Sequence, residues 1–558
     1  MSHKGTDRRR FLATCTALGL SGTLFPGALY AKVRDAEEIT KEDIQRAEEV
    51  AGLSFTEDQR DMLVEDLNER LEDFEELRQV DLPNSVLPAF VFDPQISGVT
   101  PSEEASTLQW EPSAITRPAD DEALAFMTVA ELASLLKARQ VTSMELTELY
   151  LRRLKQYDPV LEAVVTFTED LARVQAARAD AELDAGNWRG PLHGVPYGAK
   201  DLLSVKGYKT TWGAMPYKDQ VIDENAAVVD KLEAAGAVLV AKLTLGALAW
   251  GDVWFGGTTK NPWNIEQGSS GSSAGPGSAV AAGLVGFAIG SETLGSIVSP
   301  STRNGVTGHR PTFGTVSRHG AMTLSWSMDK LGPMTRSALD CALVYEVLRG
   351  VDVRDPSTFY APFPFDANLD VTTLRVGYLK AAFEEDYSGQ QADNETLAVL
   401  RNLGVNLQPM ALPEDLPVGA MLMTLSVEAA AAFDALTRTG VVDQMVRQER
   451  NAWPHTFRSA RFVPAVEFLQ ANRTRTLLMQ QMAEILQDID VFISPSFGGG
   501  TLRITNLTGH PCVCLPNAFN PLEDAAADSS RRQPGSITFA GNLYKDAEVL
   551  ALAHAYQQ

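Results

Sequence analysis

The chain has 558 residues, of which 44% are hydrophobic and 22% are charged. These fractions are typical of a globular protein, and the length suffices for one large core with an additional small module. The formal net charge is −24, which argues against nucleic acid or an anionic membrane as a partner. Seven histidines are scattered through the chain, without an H-E-x-x-H motif or a Cys/His pair at metal spacing. We therefore expect no metal and no other cofactor.

Residues 1–31 have the features of a twin-arginine export signal. The basic motif begins at Asp7 and includes Arg8, Arg9 and Arg10, and an apolar stretch follows it as far as Phe25. A membrane anchor is the alternative, but Gly and Thr residues interrupt the stretch, which is short for a bilayer span. We expect a periplasmic or secreted protein with no membrane span after the signal is removed.

Three cysteines remain after such a signal, namely Cys341, Cys512 and Cys514. Residues 512 and 514 are expected on the same face of one strand, two residues apart, where they are poorly placed to bond each other. The odd number and this spacing argue against a disulfide framework.

Residues 35–81 form an acidic segment with a helical pattern. It contains 18 acidic and five basic residues, a net charge of −13. Thr40 and Thr56 are predicted N-caps, and Gln59 completes a capping box with Thr56. One apolar face is predicted on the second helix, formed by Met62, Leu63, Leu67, Leu71, Phe74 and Leu77.

Residues 82–121 are rich in Pro, Ser and acidic residues and carry isolated aromatic side chains at Phe90, Phe92 and Trp110. We interpret this segment as an extended linker strap laid over the core, with the aromatic residues as anchors. Disorder is the alternative interpretation.

Residues 122–558 show alternating helix and strand patterns with no clean domain break and no repeat. A helix is predicted over 223–235, and buried strands are predicted over 237–240 and 490–495. Two helices come before these elements, with predicted capping residues Thr128, Thr142 and Glu145. The alternation indicates one α/β domain with helices layered on a sheet.

The segment from Gly268 to Pro311 has two loops of small residues around a short apolar stretch. The first loop, 268–277, is almost entirely Gly, Ser, Ala and Pro, so its backbone can approach a reacting group closely. Residues 279–289 predict a buried helix that runs into a short strand. The second loop is expected to form an oxyanion hole from converging backbone N–H groups, those of Thr293, Leu294, Gly295 and Ser296.

Two other interpretations of this segment are less consistent with its sequence. A flexible linker would not lead into an apolar core segment and repeat the small-residue pattern beyond it. Residues 271–275 match the G-x-S-x-G elbow of α/β-hydrolases, but that elbow must follow a buried strand. The preceding residues, 261–267, are mostly polar and include Pro262.

This block resembles the signature of the amidase signature family. The motif G-V-P-x-x-x-K-D of that family is matched from Gly194 to Asp201, and Ser272 stands 24 residues before Ser296, the family's interval. The resemblance implies a triad of Lys200, Ser272 and Ser296, with a cis peptide at Ser272, and a mixed sheet covered on both sides by helices. Further family matches occur at 308–312, 331–336 and 506–511.

These residue types suit nucleophilic catalysis. A serine hydroxyl is a poor nucleophile until a base removes its proton. Lysine acts as that base only when neutral, so it must be desolvated to lower its pKa. Lys200 stands between a small-residue turn and the apolar pair Leu202-Leu203, which favours burial. A second serine, Ser272, can relay the proton between Lys200 and Ser296.

The resemblance extends to stand-alone amidases and to the A subunit of glutamyl-tRNA amidotransferase, and residues 35–81 are similar to the C subunit of that amidotransferase. Two departures stand out: Leu294 occupies a position where the family often has Gly, and residues 420–473 lack the glutamine-binding pattern of the A subunits. Trp326 and Met328 indicate either an apolar pocket or core packing.

The resulting prediction is an exported amidase that hydrolyses small-molecule amides through a Ser–cisSer–Lys triad and an acyl-enzyme. An esterase or carbamate hydrolase on the same triad is an alternative. A catalytically silent binding or assembly protein that keeps the fold is another. Whether the protein forms a homodimer stays open.

Overall fold

The computed structural model describes residues 38–79, 83–86, 90–102, 105–522 and 531–558. The predicted export signal, 1–31, lies outside these residues. Cys341, Cys512 and Cys514 are buried free thiols. Among the described helices, none is long and apolar enough to cross a membrane.

The acidic segment forms two helices, α1 (Lys41–Ala51) and α2 (Glu57–Gln79). Their caps are as predicted: the Thr40 side chain accepts from the Asp43 N–H, and Thr56 and Gln59 bond each other reciprocally. The helices pack through a small apolar cluster of Ile39, Ile44, Phe55, Leu63, Val64 and Leu67. The prediction for Met62 was wrong, because Met62 is 67% exposed and Val64 takes the inward position. The side chains of Leu71, Phe74 and Leu77 lie outside the part of the chain that the structure describes.

The strap contacts the core at several described points. The Asn84 side chain donates to the Thr323 carbonyl at 2.9 Å and accepts from the Thr323 N–H at 2.6 Å. The Phe92 ring packs edge-on against Phe313, with ring centroids 4.9 Å apart. Phe90, expected as an anchor, is 69% exposed. Trp110 is half-buried.

One sheet of eleven strands organises the described part of the core. In chain order the strands are β1 (Val164–Phe167), β2 (Pro196–Lys200), β3 (Val238–Leu243), β4 (Phe287–Glu292), β5 (Thr307–Arg310), β6 (Lys330–Thr335), β7 (Val376–Leu379), β8 (Leu407–Met410), β9 (Val491–Pro495), β10 (Cys512–Pro521) and β11 (Arg532–Gly541). Their order across the sheet is β1-β3-β2-β4-β6-β5-β10-β11-β9-β7-β8.

The sheet is mixed, as predicted. Strand β2 pairs in parallel with β3 and with β4, whereas β4 pairs antiparallel with β6. Both faces are covered, because successive side chains of β3 enter different clusters: Leu239 packs in one cluster, and Val238 and Val240 pack in another.

Helices cover the two faces. The helices of the core are α3 (Asp121–Ala125), α4 (Val129–Lys137), α5 (Ser143–Leu161), α6 (Glu169–Asp184), α7 (Ala227–Ala234), α8 (Ala274–Ala281), α9 (Val298–Asn304), α10 (Ala338–Leu348), α11 (Lys380–Glu384), α12 (Gln390–Asn402), α13 (Val418–Met421), α14 (Met423–Ala432), α15 (Asp434–Arg438), α16 (Trp453–Ala460), α17 (Ala465–Ile485), α18 (Thr501–Thr508) and α19 (Asp546–Gln557). The caps of α4 and α5 are Thr128 and Thr142, each in a capping box.

The predicted boundaries differ modestly from the observed ones. Helix α7 begins at Ala227 rather than 223, because residues 223–226 form the turn that precedes it. Strand β3 extends to Leu243, beyond the predicted end at 240, so its buried edge reaches the end of β2.

Candidate active site

Lys200 is the last residue of β2 and is completely buried. Its Nζ atom lies 2.8 Å from Ser272 Oγ, 3.0 Å from Ser273 Oγ and 2.8 Å from Ser291 Oγ. Burial lowers the pKa of Lys200 well below its ordinary value, against the opposing effect of Asp329 and Glu292. The predicted lysine is therefore held among serine hydroxyls in the environment that favours its neutral form.

The serine hydroxyl groups around Lys200 differ in whether their protons are already donated to another acceptor. Ser273 Oγ donates to the Ser291 carbonyl at 3.1 Å and accepts from the Ser291 N–H at 3.1 Å, so its proton is committed. It can only accept from Lys200. A neutral lysine has two N–H donors and one lone pair. The lone pair is thus left for the hydroxyl of Ser272 or Ser291.

Ser272 follows a cis peptide bond, Gly271–Ser272. Residue 271 is glycine for a spatial reason, since a Cβ there would collide with the carbonyl oxygen of Gly251. The strand before this turn, Asn264–Gly268, belongs to a two-stranded ribbon and not to the main sheet. The turn is therefore not the elbow of an α/β-hydrolase.

Ser296 lies beside the same cluster. The Ser273 N–H donates to the Ser296 carbonyl at 3.2 Å, which joins the two small-residue loops directly. Ser296 lies just before the N-cap of helix α9 and is largely buried. The structure thus brings Lys200, Ser272 and Ser296 into one region at the ends of β2 and β4.

The loop from Thr293 to Ser296 offers backbone donors. Among the described residues, the N–H groups of these four positions donate to no protein acceptor. Gly295 has φ of 85°, in the region that favours glycine, whereas Leu294 is not among the residues with positive φ. A side chain at 294 therefore costs no backbone strain, and the departure at this position is compatible with the loop.

Glu292 is a site residue that the sequence interpretation missed. Its Oε2 atom accepts from the N–H groups of Ile297 at 2.8 Å and Val298 at 3.0 Å, and so closes the loop on itself. Its Oε1 atom accepts from Arg310 Nη1 and Asn506 Nδ2, each at 2.8 Å. Burial would raise the pKa of Glu292, but Arg310 and the other donors lower it to about 2.

Asp329 is a second missed residue. Its Oδ1 atom accepts from Thr293 Oγ1 at 2.6 Å, and its Oδ2 atom accepts from the N–H groups of Leu324 and Ser325. Its only sequence signal was the charged pair Asp329-Lys330 in an otherwise uncharged stretch from 320 to 335. Spacing could not assign its partner.

Trp326 and Met328, the two residues considered for an apolar pocket, have different environments. Met328 is buried in a core cluster with Val298 and Leu478. Trp326 is half-buried and lines a cavity of about 210 Å³, together with Phe92, Phe468 and other residues of the strap and α17.

Comparisons with known proteins identify the family. A family model described as Amidase matches residues 145–550. The A subunit of glutamyl-tRNA(Gln) amidotransferase from Methylococcus capsulatus is 32% identical over 479 residues, which cover 77% of this chain and 96% of that protein. AmiD from Mycobacterium tuberculosis, a putative amidase by its description, is 32% identical over 474 residues, covering 80% of this chain and 97% of AmiD. The solved peptide amidase from Stenotrophomonas maltophilia is 27% identical, with a TM-score of 0.67, covering 77% and 96% of the two chains.

The chain belongs to the amidase signature family. This confirms the predicted family and the predicted fold class. Family membership and the solved amidases support a hydrolase that acts on amides.

Proposed function

We propose that the protein hydrolyses amides with Ser296 as nucleophile, Lys200 as base and Ser272 as the proton relay between them. The observation that carries this proposal is the completely buried Lys200 amine, 2.8 Å from Ser272 Oγ. Among the described residues, no carboxylate contacts this amine directly. Burial of this kind favours the neutral amine, and only the neutral amine accepts a proton.

The reaction balances through one relay. Ser296 Oγ attacks the amide carbonyl carbon, its proton moves to Ser272 Oγ, and the Ser272 proton moves to Lys200 Nζ. Lys200 Nζ then returns one proton to Ser272 Oγ, and Ser272 gives one proton to the nitrogen of the leaving amine as the C–N bond breaks, which leaves an acyl-enzyme on Ser296. Water then attacks the acyl carbon through the same relay, and the products are a carboxylic acid and an amine.

The oxyanion that forms in each addition step needs donors. The N–H groups of Thr293, Leu294, Gly295 and Ser296 are proposed for this role, because they have no protein acceptor among the described residues. Such fixed donors stabilise the transition state more than the ground state.

The proposed substrate is a small-molecule linear amide. Relatives include a peptide amidase and the A subunit of an amidotransferase. The net charge of −24 opposes tRNA binding, which favours a stand-alone enzyme over an amidotransferase component. Ester or carbamate hydrolysis on the same triad is the second candidate, since the nucleophile and base suit all three bonds.

A labelling experiment tests the assignment. A fluorophosphonate is expected to modify Ser296, as located by peptide mass spectrometry, and Ser296→Ala is expected to lose the label. Ser388→Ala is the matched control, because Ser388 is exposed and outside the cluster. Absence of label in the wild type would favour the silent binding protein. Turnover of matched amide, ester and carbamate substrates then identifies the preferred bond.

We further propose export from Arg8 and Arg9, and a structural role for residues 35–81. The basic motif and apolar stretch support the first proposal. The paired helices α1 and α2, whose charged surfaces contain no activated nucleophile in the part that the structure describes, support the second.

A further inference from the structure

The oxyanion loop has a second tether in addition to Glu292, and it lies at the loop's first residue. Thr293 Oγ1 donates to Asp329 Oδ1 at 2.6 Å, and both side chains are more than nine-tenths buried. A charge-assisted hydrogen bond of this length, shielded from water, fixes the threonine rotamer. Glu292 holds the opposite end of the loop through Ile297 and Val298.

The Asp329 carboxylate is itself immobilised. Its second oxygen accepts from the N–H groups of Leu324 at 2.8 Å and Ser325 at 3.0 Å. The preceding residue, Thr323, is paired with Asn84 of the strap through both its N–H and its carbonyl. The carboxylate therefore cannot follow Thr293 if the loop moves.

The following residues are held as firmly. Ser325 Oγ and Ser327 Oγ donate to the buried Glu428 at 2.6 and 2.7 Å. Arg475 Nη2 donates to the Ser327 carbonyl at 2.9 Å, and the guanidinium packs over Phe92 of the strap. The turn from 323 to 329 is thus a rigid support directly behind the oxyanion loop.

We infer that Asp329 is a positioning residue for hydrolysis, which acts through Thr293 to keep the N–H groups of the oxyanion loop directed at the reacting carbonyl. This inference rests on the proposed function of Ser296 and the loop. Loss of one oxyanion donor in other hydrolases lowers kcat about 10²–10³-fold. A loop held at one end only is expected to misplace its donors and to lose a comparable factor.

Asp329 also contributes a negative charge near Lys200. The carboxylates that act on Lys200 are Asp329, before β6, and Glu292, at the end of β4. The cations that face these carboxylates are Arg310 on β5 and Arg318, whereas burial lowers the pKa of Lys330 on β6 well below its ordinary value. Burial also raises the pKa of Asp329 itself, against the opposing hydrogen bond from Thr293. Removing the Asp329 charge is expected to lower the pKa of Lys200 further.

The test measures the fluorophosphonate labelling of Ser296, separated into the maximal rate and the half-saturating concentration. Thr293→Val removes the hydroxyl but keeps the shape, and its maximal rate is expected to fall about 10²-fold. Thr293→Ser restores the donor and is expected within about threefold of wild type. Asp329→Ala removes the acceptor of Thr293 Oγ1 and is expected to lose about tenfold, whereas Asp329→Asn can accept both backbone N–H groups on its oxygen and donate its NH2 group to Thr293 Oγ1, so its rate is expected within about threefold of wild type. Asp340→Asn, a completely buried aspartate on α10, is the matched control with an unchanged rate.

Three outcomes together support the inference. The loss in labelling lies in the maximal rate and not in the half-saturating concentration, and Thr293→Val lowers this rate little further when Asp329 is already alanine. In Asp329→Asn, the acid limb of the pH profile of labelling moves to lower pH. The inference is overturned if Thr293→Val labels at the wild-type rate, or if the losses of Thr293→Val and Asp329→Ala multiply fully in the double variant. It is also overturned if the acid limb of the pH profile does not move in Asp329→Asn. If the wild type is not labelled at Ser296, the proposed function fails as well. Labelled wild type with unaffected Thr293→Val rejects this inference alone.

Discussion

The carboxylate of Glu292 lies 2.8 Å from the guanidinium nitrogen Nη1 of Arg310, and neither side chain is exposed to solvent. Arg310 Nη2 continues to Thr505 Oγ1 and the His510 carbonyl. One buried ion pair therefore joins the oxyanion loop, which follows β4, to helix α18 and to the residues that precede β10. The stability of the core and the geometry of the site depend on the same two charges.

Glu292→Gln is expected to destabilise the protein by about 3–5 kcal/mol, because it leaves the Arg310 guanidinium buried without its counter-charge. All four groups that face the Glu292 carboxylate are donors, so a glutamine NH2 group must oppose at least one of them. Urea unfolding at pH 7 measures the change. Glu395→Gln, at an exposed position, is the control and is expected within about 0.5 kcal/mol of wild type.

The Glu292–Arg310 ion pair makes the difference in unfolding free energy between wild type and Glu292→Gln depend on pH. The pKa of Glu292 is about 2 in the folded protein, below the unfolded value of about 4.3. Its contribution is therefore present above about pH 4.3 and is lost as pH falls toward 2. The gap between wild type and Glu292→Gln should narrow between about pH 4 and pH 2. A gap that stays constant over this range would contradict the assignment.

Asp340→Asn is expected to stabilise the protein at neutral pH. Burial raises the pKa of Asp340 to about 6, and its Oδ2 atom has no hydrogen-bond partner among the described residues. A carboxyl whose folded pKa exceeds the unfolded one loses stability as pH rises from about 4 through 6. Asparagine still accepts from the Ala130 N–H, the bond that Asp340 Oδ1 makes at 3.0 Å. The gain is at most about 3 kcal/mol.

Unfolding at pH 7 and at pH 4 checks this prediction, since the advantage of Asp340→Asn should disappear at the lower pH. Asp386→Asn is a suitable control because Asp386 is exposed. An equal change at both pH values would show that the carboxyl charge is not the cause.

Local rules predicted much of this molecule. Thr40, Thr128 and Thr142 cap their helices because capping depends on residues three positions apart. The fold class followed from alternating elements, and the structure places Lys200 and Ser272 in hydrogen-bond contact, the two residues that the motifs had named.

Long-range partners could not be predicted in this way. Asp329 contacts Thr293, 36 residues away, and Glu292 contacts Asn506, 214 residues away. A carboxylate accepts from any donor that the fold brings to it, so sequence spacing carries no information about the pair. The prediction that Met62 belongs to the apolar face was wrong for a related reason. The packing of α2 against α1 decides which of several neighbouring apolar residues points inward.

Replacing Arg8 and Arg9 with Lys is expected to retain the precursor in the cytoplasm, because twin-arginine export depends on the paired arginines. Fractionation and immunoblotting measure the distribution. Lys4→Arg is the control, since it keeps the charge and lies outside the motif. Unchanged periplasmic yield in the double variant would indicate another route.

Deleting residues 35–80 is expected to lower Tm or solubility while fluorophosphonate labelling of Ser296 persists. Within this module, Ile44→Ala removes a side chain buried against α2 and is expected to increase proteolysis of the segment. Met62→Ala is the matched control, because Met62 is exposed. Full stability with lost turnover in the deletion would contradict a structural role.

Lys200, Ser272 and Ser296 are expected to behave as one unit. Ser296→Ala should abolish covalent chemistry, Lys200→Ala should leave Ser296 unable to lose its proton, and Ser272→Ala should interrupt the transfer. The combined Lys200→Ala and Ser272→Ala variant should lose little more activity than either single variant, because residues in one relay are non-additive. Measured kcat/KM values for the double-mutant cycle give this coupling.

The pH profile provides the independent readout of the same relay. Burial lowers the pKa of Lys200, and only the neutral amine takes up a proton. Activity should therefore rise as pH increases through this lowered pKa, and the limb should disappear when Lys200 is replaced. Ser291→Ala removes another hydroxyl 2.8 Å from Lys200 without breaking the proposed path, so it should shift the limb and retain turnover. Fully multiplicative losses in the cycle, with the limb unmoved in the Lys200 variant, would require a different base.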